Sequence, residues 1–512
     1  MPENLASFKV FCQGGLNTSR DVLSQGENQP GSATALINYE PAVTGGYRKI
    51  NGFANNYGTV TGTGSVLGVV VADGINDGIF ACRKPSSGNN YLHKWNNSSS
   101  AWQAITTSGS PTMVGVTKVR FSRLNFGTPK IVLTDGINPA ATYDGSSYTQ
   151  ITHSDAPTDP KFSAIFQNHL FLAGDPAHPT KLYHSAPLAE TDFASGNGAG
   201  VINVGFPIVA IKSFRNELFI FGATNIKKLS GTALANFAVQ TVTDDLGCLA
   251  TDSVIEIGGD LLFLSQDGLR PISGTAKIGD VNLETVSKNI QSIFTDIVFD
   301  IDLDTLNAVV IRQKTQFRYF FGAADSQGII GGFRQTPNGL QFEYSQMLGI
   351  TATCAASGYI GQNEFVLHGT SDGKVHRQET GNSFAGENIF SIFQTPFFHM
   401  QDPEQRKIFY NIATYLRSEG DNSIVMSAVY DYEDVDTLNP TNFDLSTTGA
   451  AAFYNEALYN STAIFDGNPS PVQRINISGS GKSASLKFVT NDTNASHSIQ
   501  GLVITFGVGD RL

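Results

Sequence analysis

The chain has 512 residues, a formal net charge of −12 and a pI of about 5.2, and only 15% of its residues are charged. No basic stripe is present, which argues against tight binding of nucleic-acid phosphates. No apolar run reaches the length of a membrane span, and the first residues lack the basic and apolar regions of a signal peptide. The 52 glycines and 35 phenylalanines, against 5 methionines, favour many short strands joined by tight turns.

The cysteines and histidines are too scattered to predict a metal site or any other cofactor. His178 and His184 are the closest histidine pair, with Asp175 nearby, but no third or fourth ligand follows at a useful spacing. The cysteines show no CxxC pair, and we expect reduced, mostly buried thiols. They are Cys12, Cys82, Cys248 and Cys354.

Residues 1–59 are predicted to form an N-terminal arm followed by a signature segment. Residues 1–36 are polar and glycine-rich, with one short strand near residues 8–11, and such an arm either stays mobile or lies across a neighbour. Gly45 and Gly46 then allow a tight bend. After the bend, apolar anchors alternate with two cations, and the residues alone predict a turn between two strands.

Residues 60–395 contain seven copies of one pattern, an apolar strand, a turn rich in Gly, Asp or Asn, and a second short strand. The copies begin near residues 79, 130, 168, 216, 260, 317 and 363. Their spacing of roughly 40–60 residues is typical of propeller blades, which predicts a β-propeller of six or seven blades. Two or more β-sandwiches are the alternative architecture.

A helix interrupts the strand pattern near residues 282–297. Asn282 is a suitable N-cap. The apolar residues that fall on one face are Val286, Ile290, Ile293, Phe294 and Ile297. We expect this helix to pack on the propeller, with a partner-binding helix as the alternative.

Residues 396–512 contain longer strands with two-residue periodicity, which predicts a C-terminal antiparallel β-sandwich. The segment from Gly479 to Ser483 superficially resembles a phosphate-binding loop. Position 476 is Asn where that loop needs its first glycine, and a strand follows where the loop needs a helix. We therefore expect a hairpin turn.

The sequence offers little support for catalysis, and no enzyme activity is expected. A propeller glycosidase needs two carboxylates about 5–10 Å apart across the ring. Aspartates near the blade turns are candidates, although Asp is first of all a turn residue. They are Asp73, Asp135, Asp175, Asp267 and Asp372. Trp95 and Trp102 could form a sugar-stacking platform, but their strand context favours blade packing.

One segment resembles a known protein family. Asn38-Tyr39-Glu40-Pro41, a short gap, and Gly45-Gly46-Tyr47-Arg48-x-x-x-Gly52-Phe53 resemble the N-terminal signature of tail nozzle proteins of short-tailed phages. These are also called tail tubular protein B, and head-to-tail stabilisation proteins are similar. The strand pattern N-x-L-F-x-x-G at Asn168 and Asn216, and the chain ending at residues 499–511, are similar to the family as well.

The resemblance implies a structural virion protein with a β-propeller core and no catalysis. It implies a homohexameric ring beneath the portal and adaptor proteins of the virion tail, assembled in the host cytoplasm. DNA would leave through the channel without tight binding, and tail fibres or tailspikes would be further partners. A closed ring needs head-to-tail interfaces, and the candidate assembly residues are Tyr39, Tyr47, Arg48, Lys49 and Phe53. The alternatives are a propeller glycosidase and a carbohydrate-binding adhesin.

Overall fold

The computed structural model describes residues 5–42, 45–88, 90–105, 113–275, 285–300, 302–322, 327–336, 339–400, 402–434, 436–446 and 471–508. The protein is mainly β. Its N-terminal segment carries one short helix and five strands. They are β1 (Leu5–Phe11), α1 (Val22–Asn28), β2 (Ala35–Ile37), β3 (Tyr39–Pro41), β4 (Tyr47–Lys49) and β5 (Phe53–Ala54).

Four consecutive four-stranded sheets follow, each built from strands adjacent in sequence. The first has β6 (Thr63–Val71), β7 (Ile79–Lys84), β8 (Leu92–Asn96) and β9 (Ala101–Ala104), and the second has β10 (Arg120–Asn125), β11 (Pro129–Thr134), β12 (Ala141–Tyr143) and β13 (Tyr148–Gln150). The third has β14 (Phe162–Phe166), β15 (His169–Ala173), β16 (Lys181–His184) and β17 (Gly200–Asn203), and the fourth has β18 (Ala210–Phe214), β19 (Glu217–Phe221), β20 (Ile226–Ser230) and β21 (Ala238–Thr243).

The chain then forms a three-stranded sheet, two helices and two further groups of strands. The sheet has β22 (Ile255–Ile257), β23 (Asp260–Ser265) and β24 (Gly268–Pro271), and the helices are α2 (Ile272–Thr275) and α3 (Gln291–Asp300). The next strands are β25 (Asn307–Ile311), β26 (Gln316–Phe320), β27 (Gln327–Thr336), β28 (Gly339–Leu348), β29 (Cys354–Ile360), β30 (Asn363–Gly369) and β31 (Val375–Gln378).

The last group of strands belongs to two larger sheets. It consists of β32 (Ile389–Gln394), β33 (Lys407–Ser418), β34 (Val425–Tyr430), β35 (Phe443–Asp444), β36 (Val472–Asn476), β37 (Ser480–Gly481), β38 (Ala484–Asp492) and β39 (His497–Val508).

The predicted propeller is confirmed. All seven predicted hairpins are present, as β7–β8, β11–β12, β15–β16, β19–β20, β23–β24, β26–β27 and β30–β31. Six blades are separate small sheets, and β25 contacts both β22 and β29, so the start of a larger sheet completes the ring. The N-terminal strand β5 pairs with β31 and becomes the fourth strand of the last blade. Residues far apart in sequence therefore close the propeller.

Two larger sheets pack against each other outside the six small blades. The seven-stranded sheet has the order β3-β4-β39-β33-β36, with β1 on β39 and β37 on β33. The nine-stranded sheet has the order β25-β26-β27-β28-β2-β32-β38-β34-β35. Tyr47 and Ile412 from the first sheet share one buried core with Phe393 and Phe488 from the second. Strands from both sides of residue 396 thus share a sheet, while the domain division itself stays a prediction.

The structure differs from the expected N-terminal arm. Strand β1 pairs with β39 along its whole length, from Leu5 opposite Gly507 to Phe11 opposite Gly501. Val10, Cys12 and Leu16 are buried in the core of the two large sheets. The described part of the arm thus belongs to its own subunit. Local sequence could not show this, because the partner strand lies at the far end of the chain.

The predicted helix is present as a short 3₁₀ turn, Lys288–Ile290, followed by α3. Ile290 and Phe294 are buried in the core shared by the two large sheets, and α3 also contacts β24. The expected packing role is confirmed, whereas Asn282 lies outside the described residues. The helix thus fixes the small blade of β22–β24 to the larger sheets.

The expected hairpin at residues 479–483 is wrong. Strand β36 pairs with β33 in the seven-stranded sheet, whereas β38 pairs with β32 and β34 in the nine-stranded sheet. The segment between them crosses from one sheet to the other, and its strand β37 pairs with β33. A sequence pattern shows where the chain turns but does not show which sheet the next strand joins.

Candidate functional sites

The signature segment forms a short antiparallel pair between β3 and β4, as its residues predict. Tyr39 lies opposite Lys49, and Glu40 lies opposite Arg48. Successive side chains in a strand point to opposite faces. Tyr39 therefore enters the core of the large sheets, while Glu40 meets residues around β26.

Four of the five candidate assembly residues are buried inside their own subunit. Tyr39, Tyr47 and Lys49 are at most 1% exposed. Phe53 is buried as well and stacks on Phe384, with ring centroids 5.0 Å apart. Because they contact their own chain, these side chains do not form a surface for another copy. The signature holds the subunit together, and assembly through this segment stays a prediction.

The polar atoms of the buried signature residues are satisfied by distant parts of the chain. The Tyr47 hydroxyl accepts from the Gly15 amide at 3.0 Å and donates to the Gly31 carbonyl oxygen at 2.7 Å. The Lys49 ammonium lies 2.6 Å from a carboxylate oxygen of Asp492. Buried polar groups are costly unless they are hydrogen-bonded. These contacts therefore fix the arm-like segment and the C-terminal strands to β4.

Arg48 belongs to a group of six charged side chains that we call the ion-pair hub. The hub consists of Glu40, Arg48, Lys314, Arg318, Glu379 and Glu419. Arg48 lies 3.1 Å from Glu40 and binds Glu419 through two nitrogens. Lys314 lies 2.6 Å from Glu40 and also pairs with Glu379. Arg318 pairs with Glu379 and lies 3.5 Å from Glu40.

The hub is electrically balanced, with two fully buried side chains at its centre and four partly exposed ones around them. It holds three cations and three carboxylates, and the side chains of Arg318 and Glu40 are 0% and 3% exposed. Burial raises the pKa of Glu379, but the charges of Arg318 and Lys314 outweigh it and lower that pKa to about 2. Burial likewise raises the pKa of Glu419, and Arg48 outweighs it. Both carboxyl groups are therefore ionised and paired with cations. This arrangement suits a structural ion-pair network and not a general acid.

The hub joins four separate parts of the fold. Glu40 and Arg48 lie on β3 and β4, and Arg318 lies on β26. Glu379 directly follows β31, and Glu419 directly follows β33. The hub therefore ties the signature to a blade and to both large sheets. Sequence reasoning identified Arg48 but missed its partners, because no local signal marks residues that meet only in the folded chain.

The second candidate site is the central channel of the propeller. The innermost strands β6, β10, β14, β18, β22, β25 and β29 line a cavity of about 610 Å³. None of these strands belongs to a predicted hairpin, because each hairpin supplies the second and third strands of its sheet. Five cations and two carboxylates line the cavity, so it is positive inside an acidic protein. They are Lys118, Arg120, Arg123, Lys212, Arg312, Asp252 and Glu256.

An ion-pair cluster crosses the channel near the N-terminal ends of these strands. Asp252, just before β22, binds Lys118 at 2.7 Å and Arg120 at 2.8 Å, both from the β10 side. Lys118 also donates to the carbonyl oxygens of Asp304 and Leu306, each at 3.0 Å. Burial raises the pKa of Asp252, but the two cations outweigh it and hold the pKa below its ordinary value. This carboxylate is therefore not available as a general acid.

The five aspartates considered for glycosidase chemistry lie in separate turns and do not line the channel. Asp135 accepts from the amides of Ile137 and Asn138, and Asp175 accepts from that of Ala177. Asp73 is exposed, while Asp267 and Asp372 bind residues of their own turns, Arg270 and Lys374. Asp73 also lies in a turn, so the turn interpretation is confirmed for all five.

The two tryptophans pack within their blade, as expected. Trp95 and Trp102 are buried with ring centroids 5.5 Å apart, and both rings contact Tyr57. They do not present an exposed platform for a sugar.

All four cysteines are free and buried, as expected. Among the residues with described positions, no group of three or more His, Cys, Asp or Glu side chains could hold a metal ion. His184 packs against His169 and Phe237.

Within the residues that the structure describes, no helix has the length and apolar character that a membrane span requires.

Comparisons with known proteins yield only distant structural matches. No family model and no curated protein matches the chain. The extracellular domain of a one component system from B. thetaiotaomicron is 13% identical over 73% of this chain and 45% of its own, with a TM-score of 0.40. An ancestral GH74 enzyme is 12% identical over 73% of this chain and 53% of its own, also at 0.40. Hsv2p from Kluyveromyces lactis is 9% identical over 55% of this chain and 98% of its own, at 0.30.

The chain spans about half the length of the first two proteins that it matches. Structural similarity this distant supports no conclusion about the activity or the partners of this chain.

Proposed function

We propose that this protein is a structural component of a phage virion. It would form the tail nozzle ring below the portal and adaptor, retain packaged DNA and provide the channel for its ejection. The observation that carries the proposal is the signature around Tyr39, Tyr47 and Arg48, which resembles that of nozzle proteins. In this fold the signature is the point where the N-terminal segment, a blade and the two large sheets are tied together. A ring that holds DNA back needs subunits that stay closed under load.

The proposed DNA path is the axis of the ring and not the channel of a single propeller. The cluster of Lys118, Arg120 and Asp252 crosses that channel, and a cavity of about 610 Å³ has the size of a small-ligand site. A subunit charge of −12 suits a wall along which DNA slides, because it offers few cations to neutralise phosphates. The hexamer would use head-to-tail contacts, as closed cyclic rings require.

The proposal is tested by the mass of the purified protein in solution and by electron-microscopy class averages of the same sample. We expect a six-fold ring with an axial opening, either alone or after addition of the portal and adaptor complex. The subunit contact should bury well above about 1,000 Å². A chain that stays monomeric and also fails to join the connector complex would contradict the proposal.

A glycosidase or a carbohydrate-binding adhesin remains the competing class. The channel carboxylate Asp252 is held ionised by two cations, which does not suit the acid of a glycosidase. Glycan hydrolysis and glycan-array binding with the same preparation separate the classes. We expect neither activity from a nozzle subunit.

A further inference from the structure

The end of the propeller channel opposite the ion-pair cluster contains cations that lack partners. Lys212 lies on β18, Arg312 directly follows β25, and Arg123 lies on β10, and all three line the cavity. Within the described ranges, none of these three side chains makes a hydrogen bond or an ion pair. Lys118 and Arg120, in contrast, both form ion pairs with Asp252 near the N-terminal ends of the inner strands.

Lys212 is the cation whose surroundings are least favourable. Burial lowers the pKa of its ammonium group, the carboxylate of Glu256 partly offsets this, and the nearby charge of Arg312 lowers the pKa further. Removing a cation from water without a hydrogen-bonded counter-ion is costly. An anion placed between Lys212 and Arg312 would supply the missing contacts and relieve the repulsion between them.

We propose that this end of the propeller channel binds a small multivalent oxyanion, held by Lys212 and Arg312 with Arg123 as a further cation. Three cations face one carboxylate, Glu256, so a ligand with two negative charges balances the site. The guanidinium group of Arg312 can hold two oxygens of one phosphate or carboxylate group. The cavity volume of about 610 Å³ fits a small molecule. This site is independent of the nozzle proposal, because it lies inside one propeller and needs no ring.

The ion-pair cluster narrows the other end of the channel. Lys118 and Arg120 bind Asp252 near the N-terminal ends of the inner strands, whereas Arg123 and Arg312 are exposed and open to an entering ligand. These ion pairs disfavour a polymer threaded through the channel as the occupant. Inorganic phosphate and succinate share the required charge and differ in chemistry, which makes them suitable probes.

The test is isothermal titration calorimetry of the full chain with phosphate and, separately, with succinate at constant ionic strength. We expect saturable binding of at least one of the two dianions. Lys212→Gln and Arg312→Gln should each weaken it about tenfold or more, the loss expected for a charge-assisted contact. Lys9→Gln is the matched control, because Lys9 is exposed on β1, away from the channel.

A second measurement separates a binding site from a structural role. In the absence of ligand, Lys212→Met should melt at the same temperature as the wild type or higher, because it removes a desolvated cation. The bound dianion should raise the melting temperature of the wild type but not of this variant. Absence of binding by both dianions, or equal binding by the wild type and both Gln variants, would overturn the proposal. Arg312 is exposed, so its variant should fold even if a Lys212 variant does not.

Discussion

The charge balance of the ion-pair hub predicts a specific pattern of stability in three variants. Arg318→Met removes one cation and leaves Glu379 and Glu40 buried beside fewer charges. Glu379→Gln removes the matching carboxylate. The double variant keeps two cations and two carboxylates, so the remaining hub is again neutral. We expect each single substitution to lower the free energy of unfolding more than a surface substitution does. The loss in the double variant should be smaller than the sum of the two single losses.

The magnitude follows from the pKa of Glu379, which lies at about 2 against an ordinary value of 4.5. At 1.36 kcal/mol per unit, this shift corresponds to about 3 kcal/mol of stabilisation above pH 4.5. Breaking a buried ion pair by removing one partner typically costs about 3–5 kcal/mol, which agrees. The coupling energy between the two changes should therefore be about 2 kcal/mol or more.

The pH dependence has a defined sign. The folded-state pKa of Glu379 is lowered, so its stabilisation is fully present above about pH 4.5 and is lost as the pH falls toward 2. In Arg318→Met the principal cation is gone, and the pKa of Glu379 should return toward its ordinary value. The variant should therefore lose less stability than the wild type between pH 4.5 and 2.

The assay is urea unfolding of the three variants, with hydrogen exchange of peptides from β26 and β31 to localise the change. Lys374→Met is the control, because Lys374 pairs with Asp372 at the surface and their side chains are 40% and 55% exposed. That change should cost below about 1 kcal/mol. Single hub variants as stable as the control, or a double variant whose loss equals the sum, would refute the reasoning.

Three further predictions concern backbone geometry, a buried hydroxyl and the thiols. Gly45→Ala should lower the free energy of unfolding by about 1–2 kcal/mol, because Gly45 has a φ of +91°. Gly46→Ala should cost at least about 1 kcal/mol more in urea unfolding, because its Cβ would lie 2.2 Å from the carbonyl oxygen of Ile499. Tyr47→Phe should lower the free energy of unfolding by about 1–3 kcal/mol and speed hydrogen exchange in residues 13–33, since it leaves the buried Gly15 amide unpaired and the Gly31 carbonyl oxygen with only its bond from Gln13. Burial raises the pKa of every thiol, and a disulfide reagent should label them only after unfolding. These are Cys12, Cys82, Cys248 and Cys354.

Matched controls make these outcomes decisive. Equal losses for Gly45→Ala and Gly46→Ala would show that the close approach to Ile499 is unimportant. Tyr359→Phe is the control for Tyr47→Phe, because in the described part of the chain the Tyr359 hydroxyl makes no hydrogen bond. Similar effects of the two changes would contradict the role given to the Tyr47 hydroxyl. Rapid labelling of a thiol in the folded protein would show that the chain opens at that cysteine.

Much of the propeller could be predicted from the sequence because a hairpin is a local structure. At Asp267-Gly268 and Asp372-Gly373 a turn lies between two apolar strands, and in each case the strands pair across it. The innermost strands were missed because they carry polar residues such as Arg120 and Lys212. Arg120 meets its partner Asp252 from another blade, and Lys212 feels charges from other blades, which no periodicity along one strand can show.

Signature residues were recognised, but their surroundings were not. The sequence suggested that Tyr47 and Arg48 lie on a surface, whereas the fold buries Tyr47 and surrounds Arg48 with Glu40 and Glu419. Glu419 is 371 residues away from Arg48. Contacts at such distances in sequence depend on the whole fold, because only the assembled sheets exclude water enough to make the pairs specific.

By itself, then, the sequence determined the turns of the seven blade hairpins, the strand pairs beside them and the reduced state of the thiols. Those features depend on glycine and aspartate conformations and on runs of apolar residues a few positions apart. Only the tertiary structure decided that β1 pairs with β39, that β5 closes the last blade and that the hub and the channel cations come together. The physical reason is that these contacts join distant segments, whose pairing is decided by the burial and hydrogen bonding of the complete molecule.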